Sequence, residues 1–387
     1  MPAFTQNGSG VATQGNRGTP GNQNNGTAAA AAQRTFMVPF QRAAKVHTEQ
    51  FPTQTGTISA SNQTVILKVP IYGYAKRIWL QCSVVTAANL AAVAFAADGP
   101  WTFLKTVLFK DANGTPIFNL SGYYAYLAAL LGGYSLFALD NAANTSYSTV
   151  TGAVATGGSF TFSLPINQCF GRDALGALPN MDASTQYQIE LTIGTTAEIY
   201  GVAPTNPGTY TIQGYLEAYQ NPPQSDQFGN MNRTVPPNVG TVQFWSYSNY
   251  TLNAGGEQTI LLNRVGNYIR NHILVFRTAA GVRSAAVVPA SNITWEWDSF
   301  LLFADNNTFR ASLQYDTYGI GAPTGVVLYG RTSDPDGVPV GEYGDSWLPT
   351  LGSTKLLIRT TPGAAGQLDV LTNDIFPVGN LFNFEEG

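Results

Sequence analysis

Few residues in this chain could carry chemistry. Its 387 residues include only two histidines, His47 and His272, and two cysteines, Cys82 and Cys169. A Ser-His-Asp triad or a zinc site therefore has almost no material. The sequence has no Gly-x-Ser-x-Gly elbow, phosphate loop, dinucleotide fingerprint or zinc-type His/Cys spacing. Asp334-Pro335-Asp336-Gly337 offers carboxylates of the kind calcium takes, but lacks the other ligands of a calcium loop and reads as a turn. Asp111-Ala112-Asn113-Gly114 reads as a hairpin turn. Glu190 with Asp182, or Asp298 with Glu296, would be the carboxylates of a glycosidase pair, yet nothing in the sequence brings either pair together. Trp101, Trp295 and Trp297 are the candidate sugar-stacking platforms. His47 reads as exposed and His272 as a strand-end or surface residue. Cys82 and Cys169 read as two buried free thiols, because a disulfide framework normally uses more cysteines. No catalytic, metal or cofactor-binding residue is assigned, no cofactor is implied, and the chain reads as a non-enzyme.

The elements that would hold such residues occur twice. Gln63-Thr64-Val65-Ile66-Leu67 followed by Tyr74 to Leu80 recurs as Gln258-Thr259-Ile260-Leu261-Leu262 followed by Ile269 to Val275. In this alignment His272 falls opposite Arg77. Trp101, Phe103, Val107, Leu108, Phe109 and Asp111 match Trp295, Trp297, Leu301, Leu302, Phe303 and Asp305. That places Trp101 and Trp295 at the start of the same strand and favours packing over sugar binding. Leu178-Pro179, Ser184-Thr185 and Ile189 match Leu348-Pro349, Ser353-Thr354 and Ile358. A repeat of this length is a whole β domain rather than a solenoid unit. Short strands separated by turn residues are the pattern of a sandwich or barrel. Strands are expected at 64–69, 78–85, 107–110, 116–120, 187–193 and 210–218, and at 301–304, 356–360 and 368–371. Asp305-Asn306-Asn307 is expected to match the Asp111 turn. One segment breaks the pattern. Residues 122–139 read as an inserted helix, apolar nearly all round and interrupted by Gly132-Gly133. Such a helix is buried or membrane-facing; too short to span a bilayer, it is expected to pack against the barrel or a neighbouring subunit.

Composition supports a self-covering β protein. Charged residues make up only 11% of the chain, against roughly 25% in average soluble proteins. Interface centres are depleted of charge, so low charge fits a surface covered by copies of the same chain. The net charge of −4 and the lack of a basic patch argue against sequence-specific nucleic-acid contact. No signal peptide is visible, and no run reaches the ~18–20 apolar residues needed to cross a bilayer, so synthesis in a cytoplasm is expected. Residues 1–35 form a low-complexity arm with Arg17, Arg34 and the run Ala28–Ala32. Alone, that arm cannot bury enough to offset its ordering entropy. The expected division is an arm at 1–35, a first barrel at 36–221, a Pro-rich linker at 222–240 and a second barrel at 241–387. A long functional loop is expected at 319–345.

Two tandem barrels, a low-complexity arm and an inserted apolar helix resemble the double jelly-roll major capsid proteins, the lineage of tectivirus coat proteins and adenovirus hexon. The paired strand blocks, the linker at 221–238 and the insertion at 122–160 carry the resemblance, which covers residues 36–380. This family has no short signature, so no functional residue transfers. The resemblance implies an all-β fold of two tandem eight-stranded jelly rolls. It implies a homotrimer of pseudo-hexameric outline that tiles an icosahedral virion shell, with trimer–trimer contacts and penton or minor capsid proteins as further partners. It also implies a phage with an internal membrane, met by the N-terminal arm. The competing reading is a tandem jelly-roll carbohydrate-binding or receptor-binding spike protein.

Overall fold

A computed structural model describes residues 37–134, 139–140, 144–170, 173–332 and 346–376. The arm, the Asp334 turn and the C-terminal tail lie outside these residues. Apolar and polar positions alternate along most strands, which is what a sheet with one face on a core requires.

The first half contributes β1 (Val46–Gln50), β2 (Gln54–Thr57), β3 (Gln63–Lys68), β4 (Tyr74–Val85), β5 (Ala94–Phe95), β6 (Leu104–Lys110) and β7 (Pro116–Leu120). It continues with β8 (Ser148–Thr149), β9 (Phe160–Asn167), β10 (Leu178–Pro179), β11 (Gln188–Ile193), β12 (Tyr200–Val202) and β13 (Thr209–Tyr219). The second half contributes β14 (Val242–Leu252), β15 (Gln258–Leu261), β16 (Tyr268–Thr278), β17 (Ile293–Trp297) and β18 (Phe300–Asp305). It ends with β19 (Val326–Gly330), β20 (Leu348–Pro349), β21 (Leu356–Thr360) and β22 (Gly366–Phe376). The helices are α1 (Phe40–Ala43), α2 (Gly122–Leu131), α3 (Thr196–Ile199) and α4 (Asn307–Tyr318).

The strand order makes the duplication explicit. The first half pairs as β1-β13-β4-β9 and as β7-β6-β11-β3. The second half pairs as β14-β22-β16-β19 and as β18-β17-β21-β15. The two patterns are identical strand for strand. Each half is an eight-stranded, two-sheet jelly roll. Even the defects are repeated. Leu178-Pro179 pairs with Ala75 and Tyr74, and Leu348-Pro349 pairs with Ile269 and Tyr268. One residue later each long strand carries a β-bulge, at Lys76 in β4 and at Arg270 in β16. A bulge bends its strand and fixes register, so this pair anchors the true alignment.

That anchor corrects several expectations. Arg77 corresponds to Asn271, and His272 corresponds to Ile78, a core position. β17 takes the place of β6, and β18 that of β7. Trp295 therefore lies inside a strand, whereas Trp101 lies in a short 3-10 turn before one. A period-2 apolar pattern matches itself equally well on a neighbouring strand, so the sequence alignment slipped by one hairpin arm. The turn between β17 and β18 is at Asp298, with a left-handed φ of 52°. Asp305-Asn306-Asn307 is not a hairpin turn; it opens α4, with the Asn306 side chain accepting a bond from the Phe309 N–H at 2.9 Å. Gly319, at φ 67°, closes that helix, and β19 follows within what was expected to be one long loop. The inserted helix of the first roll ends at Leu131 rather than near 139.

The rolls do not have wholly separate cores. The second encloses its own cluster, including Leu274, Phe276, Trp295, Ile358 and Val370. The larger cluster fills the first roll and continues into the second through Trp245, Ile273, Val275, Leu328 and Leu371. Met37 onwards forms one compact unit. The segment at 222–240 is tied to the start of that unit, where Val38 donates to Met231 O at 2.9 Å and Arg233 donates back to Val38 O at 3.0 Å. In the first roll, Phe162 lies against Trp101, ring centroids 4.5 Å apart, and parallel to Phe160. Replacing Phe162 with Ala is expected to destabilise the chain by about 3–5 kcal/mol, measured by denaturant unfolding, because the site is ringed by aromatics that cannot collapse into the space.

Candidate functional site

The face that joins the two rolls is the most heavily built feature outside the roll interiors. It begins with α2. Ser121 caps the helix, its hydroxyl accepting from Tyr124 N–H at 3.3 Å. All ten helical residues are buried. A side chain at Gly122 would place Cβ 2.2 Å from Trp101 O, so only glycine allows the helix to start against that turn. One side of α2 packs on β6 and β9 of its own roll and another on β16 of the second roll. Beside it β7 pairs in parallel with β14, Phe118 opposite Trp245. This pairing fuses one sheet of each roll into a single nine-stranded sheet.

Polar side chains lock the joint at one end. Arg277 of β16 donates from Nε to Asp369 Oδ2 at 2.9 Å and to the Tyr124 hydroxyl at 3.0 Å. Its Nη1 donates to Asp98 Oδ2 of the first roll at 2.7 Å. Arg283 donates to the other Asp98 oxygen at 2.6 Å, and Asn249 to Asp369 Oδ1 at 2.7 Å. Tyr124 donates its hydroxyl to Asp369. Burial pushes the Tyr124 hydroxyl above its usual range, and the Asp369 charge adds to this. Burial alone would lower Arg277, but Tyr124 and Asp98 outweigh it and hold the guanidinium charged. Farther along, Gln243 of β14 donates to Asn167 O at 2.9 Å and Gln168 O at 3.0 Å, and Trp245 Nε1 donates to the Tyr134 hydroxyl at 3.0 Å.

The residues singled out by sequence are not gathered here. Glu190 pairs with Lys110 at 2.9 Å, and Asp182 caps Ser184 at 2.8 Å. Glu296 pairs with Arg359 at 2.9 Å, and Asp298 accepts from the backbone of Thr354 and Lys355. Asp111 accepts from Asn113 and Thr115 N–H groups within its turn. Each carboxylate holds local structure. Among the described residues no three His, Cys, Asp or Glu side chains sit together as metal ligands. Trp101 stacks on Tyr126 at 4.5 Å, and Trp295 is fully buried, so both pack the rolls; Trp297 is half-buried. Cys82 is a buried free thiol, and Cys169 is free but only half-buried. His47 is exposed.

His272 is not at a strand end or on the surface. It is fully buried in mid-strand, with its ring 4.7 Å from that of Trp295. Neither ring nitrogen has a hydrogen-bond partner. Burial, reinforced by the Arg331 charge, holds the imidazole well below its usual range, so it is neutral. No sequence pattern marked it: the bulge, a feature of the strand pairing, aligns Lys76 with Arg270 and places His272 on a core position.

No family model and no curated protein sequence matches this chain. Its fold does match solved structures. The STIV major capsid protein superposes with a TM-score of 0.62 at 10% identity, over 89% of this chain and 100% of that one. The capsid of the virus PBCV-1 gives 0.61 at 10% identity, covering 86% and 93%. The major capsid protein P2 of bacteriophage PM2 gives 0.54 at 9% identity, covering 87% and 100%. Strand order and superposition agree that the fold is a double jelly roll.

Two outcomes follow from this geometry. Arg277 is 10% exposed, Asp98 10% and Asp369 5%, so Arg277→Met leaves the buried Asp369 without a cation and Asp98 with Arg283 alone. Unfolding measurements should show a loss of about 3–5 kcal/mol, and a loss below about 1 kcal/mol would contradict the role given to the network. For His272 the folded-state pKa is depressed, so protons favour the unfolded chain. Stability should be at its full value above about pH 6.5 and decline as pH falls below it. His272→Ile, the residue type of the first roll, should flatten that decline; superimposable pH profiles would refute this.

Proposed function

We propose that this chain is a viral major capsid protein, a structural subunit without catalysis that associates with copies of itself into the shell of an icosahedral virion. The observation that carries this reading is the double jelly roll whose halves are fused side by side through α2 and the β7–β14 pairing. Two similar rolls side by side make a unit that can be repeated around an axis, and three chains would present six rolls in a pseudo-hexameric trimer. The names of the matched structures, all capsid proteins, support the same reading. So does the low charge, since a surface destined for burial between copies loses charged residues.

In this proposal residues 1–35 are an arm, 36–221 and 241–387 the two rolls and 222–240 the connection between them. The partners are other copies in the trimer, neighbouring trimers, penton or minor capsid proteins, and an inner viral membrane met by the arm. A phage as the source belongs to the same proposal, and one of the matched structures is a bacteriophage major capsid protein. The protein would reside in the virion after synthesis in host cytoplasm.

Light scattering on the purified full-length protein tests the proposal. A stable trimer is expected, with shells or shell fragments in electron micrographs at higher concentration. A monomer that stays monodisperse at high concentration would overturn it.

A further inference from the structure

In each roll the residue at the β-bulge is a cation, Lys76 in β4 and Arg270 in β16. A bulge takes its residue out of the ladder and re-aims the side chain. The carbonyls of the two bulges are used alike. Lys76 O accepts from the Gln168 and Cys169 N–H groups at 3.1 Å, and Arg270 O accepts from Arg331 N–H at 3.1 Å. The two side chains line a single cavity of about 180 Å³, Lys76 from the first roll and Arg270 from the second. Tyr134 and Asn167 also line it, so it sits where Gln243 and Trp245 tie the joint.

Arg77 is the third cation of this cavity, and among the described residues that line it none is a carboxylate. Arg270 is fully buried. It donates from Nη1 to Asn373 Oδ1 at 3.0 Å, and its guanidinium lies 4.7 Å from the ring centre of Tyr134 and 5.7 Å from that of Phe170. Lys76 and Arg77 share one acid, Glu217, at 3.3 and 2.8 Å. Glu217 also accepts from Trp79 Nε1 at 2.7 Å. Arg77 reaches both Glu217 oxygens through Nη2, which leaves Nη1 outside the pair. A second acid, Asp173, accepts from Gln41 N–H at 2.7 Å and faces Arg233 at 4.0 Å. Lys76 and Arg77 therefore bring two positive charges against one carboxylate, and Arg270 brings a further one.

We propose that this cavity binds a small tetrahedral oxyanion, either free phosphate or sulfate or a small phosphate monoester, held between cations of both rolls. A guanidinium presents a planar fork that matches two oxygens of such an ion, and a lysine adds a point charge. Charge-assisted hydrogen bonds of this kind are roughly twice as strong as neutral ones. The rings of Tyr134, Phe170 and Tyr219 lower the local dielectric and strengthen them further. Pockets for drug-sized molecules run from about 300 to about 1,000 Å³, so this smaller cavity suits an ion or a short ester. A bound anion would bridge the two bulges and add a tie to the joint. All of these residues belong to one chain, so the site does not need the assembly proposed above.

The test is calorimetric titration of the purified full-length protein with inorganic phosphate, at an ionic strength held constant with chloride. Saturable binding at one site per chain is expected, with a dissociation constant below about 10 mM. Sulfate should compete. Titration with glycerol 3-phosphate separates the two forms of ligand: tighter binding than phosphate assigns a monoester, and weaker binding assigns the free ion. Lys76→Gln changes a side chain that is 29% exposed and leaves Glu217 paired with Arg77. It should weaken phosphate binding at least about tenfold, while the unfolding of the phosphate-free protein stays unchanged. No saturation, or saturation that Lys76→Gln leaves unaltered, would overturn the assignment. So would a stabilisation by phosphate that rises without saturating and is shared by the variant, because that is the general effect of an excluded salt.

Discussion

The structure depends on one constraint: α2 has no face that can be left in water. Its residues are Gly-Tyr-Tyr-Ala-Tyr-Leu-Ala-Ala-Leu-Leu, without a charge or an amide. A single jelly roll can cover only the side of such a helix that faces its own sheets. The remaining side has to be buried by something else, and in this chain the second roll does it with Ile273, Val275 and Leu371. The fused sheet follows from the same contact, because seating α2 on β16 brings β7 alongside β14. Burial on this scale, at roughly 25 cal/mol per Å² of apolar surface, makes the two rolls one cooperative body rather than beads on a linker.

The polar groups at the joint do a different job from the apolar ones. Apolar packing favours contact but tolerates sliding. Arg277 fixes the position, since its donors must find Asp98 on one roll and Asp369 and the Tyr124 hydroxyl at the same time. A buried network of this kind adds little net stability compared with a well-packed apolar patch. Its effect is to make every displaced arrangement costly, which fixes a single angle between the two rolls.

Much of this was legible in the sequence, and the failures share a cause. The duplication, the strands at 64–69, 107–110 and 356–360, and the buried character of α2 follow from patterns that repeat or stand out locally. The alignment of the repeat slipped by one hairpin arm because Val107-Leu108-Phe109 and Leu301-Leu302-Phe303 look alike, and an alternating pattern carries no unique register. α4 was missed because its buried stripe is Arg310, Gln314 and Tyr318, polar side chains that give no apolar periodicity. Its start and stop, Asn306 and Gly319, were present as signals but were read as turn residues. His272 was placed at the surface because a histidine among apolar neighbours looks marginal until the bulge assigns it to the position of Ile78. The fusion of the two rolls was not legible at all: it rests on contacts between distant segments, and α2 alone showed only that some partner was needed.

The central claim is that two fused rolls form a unit built to be repeated around an axis. A cryo-electron microscopy reconstruction of the purified assembly tests it most directly. The account predicts a closed ring with three-fold symmetry and six roll-sized lobes. Isolated two-lobed particles, or a two-fold dimer joined through identical faces, would contradict it.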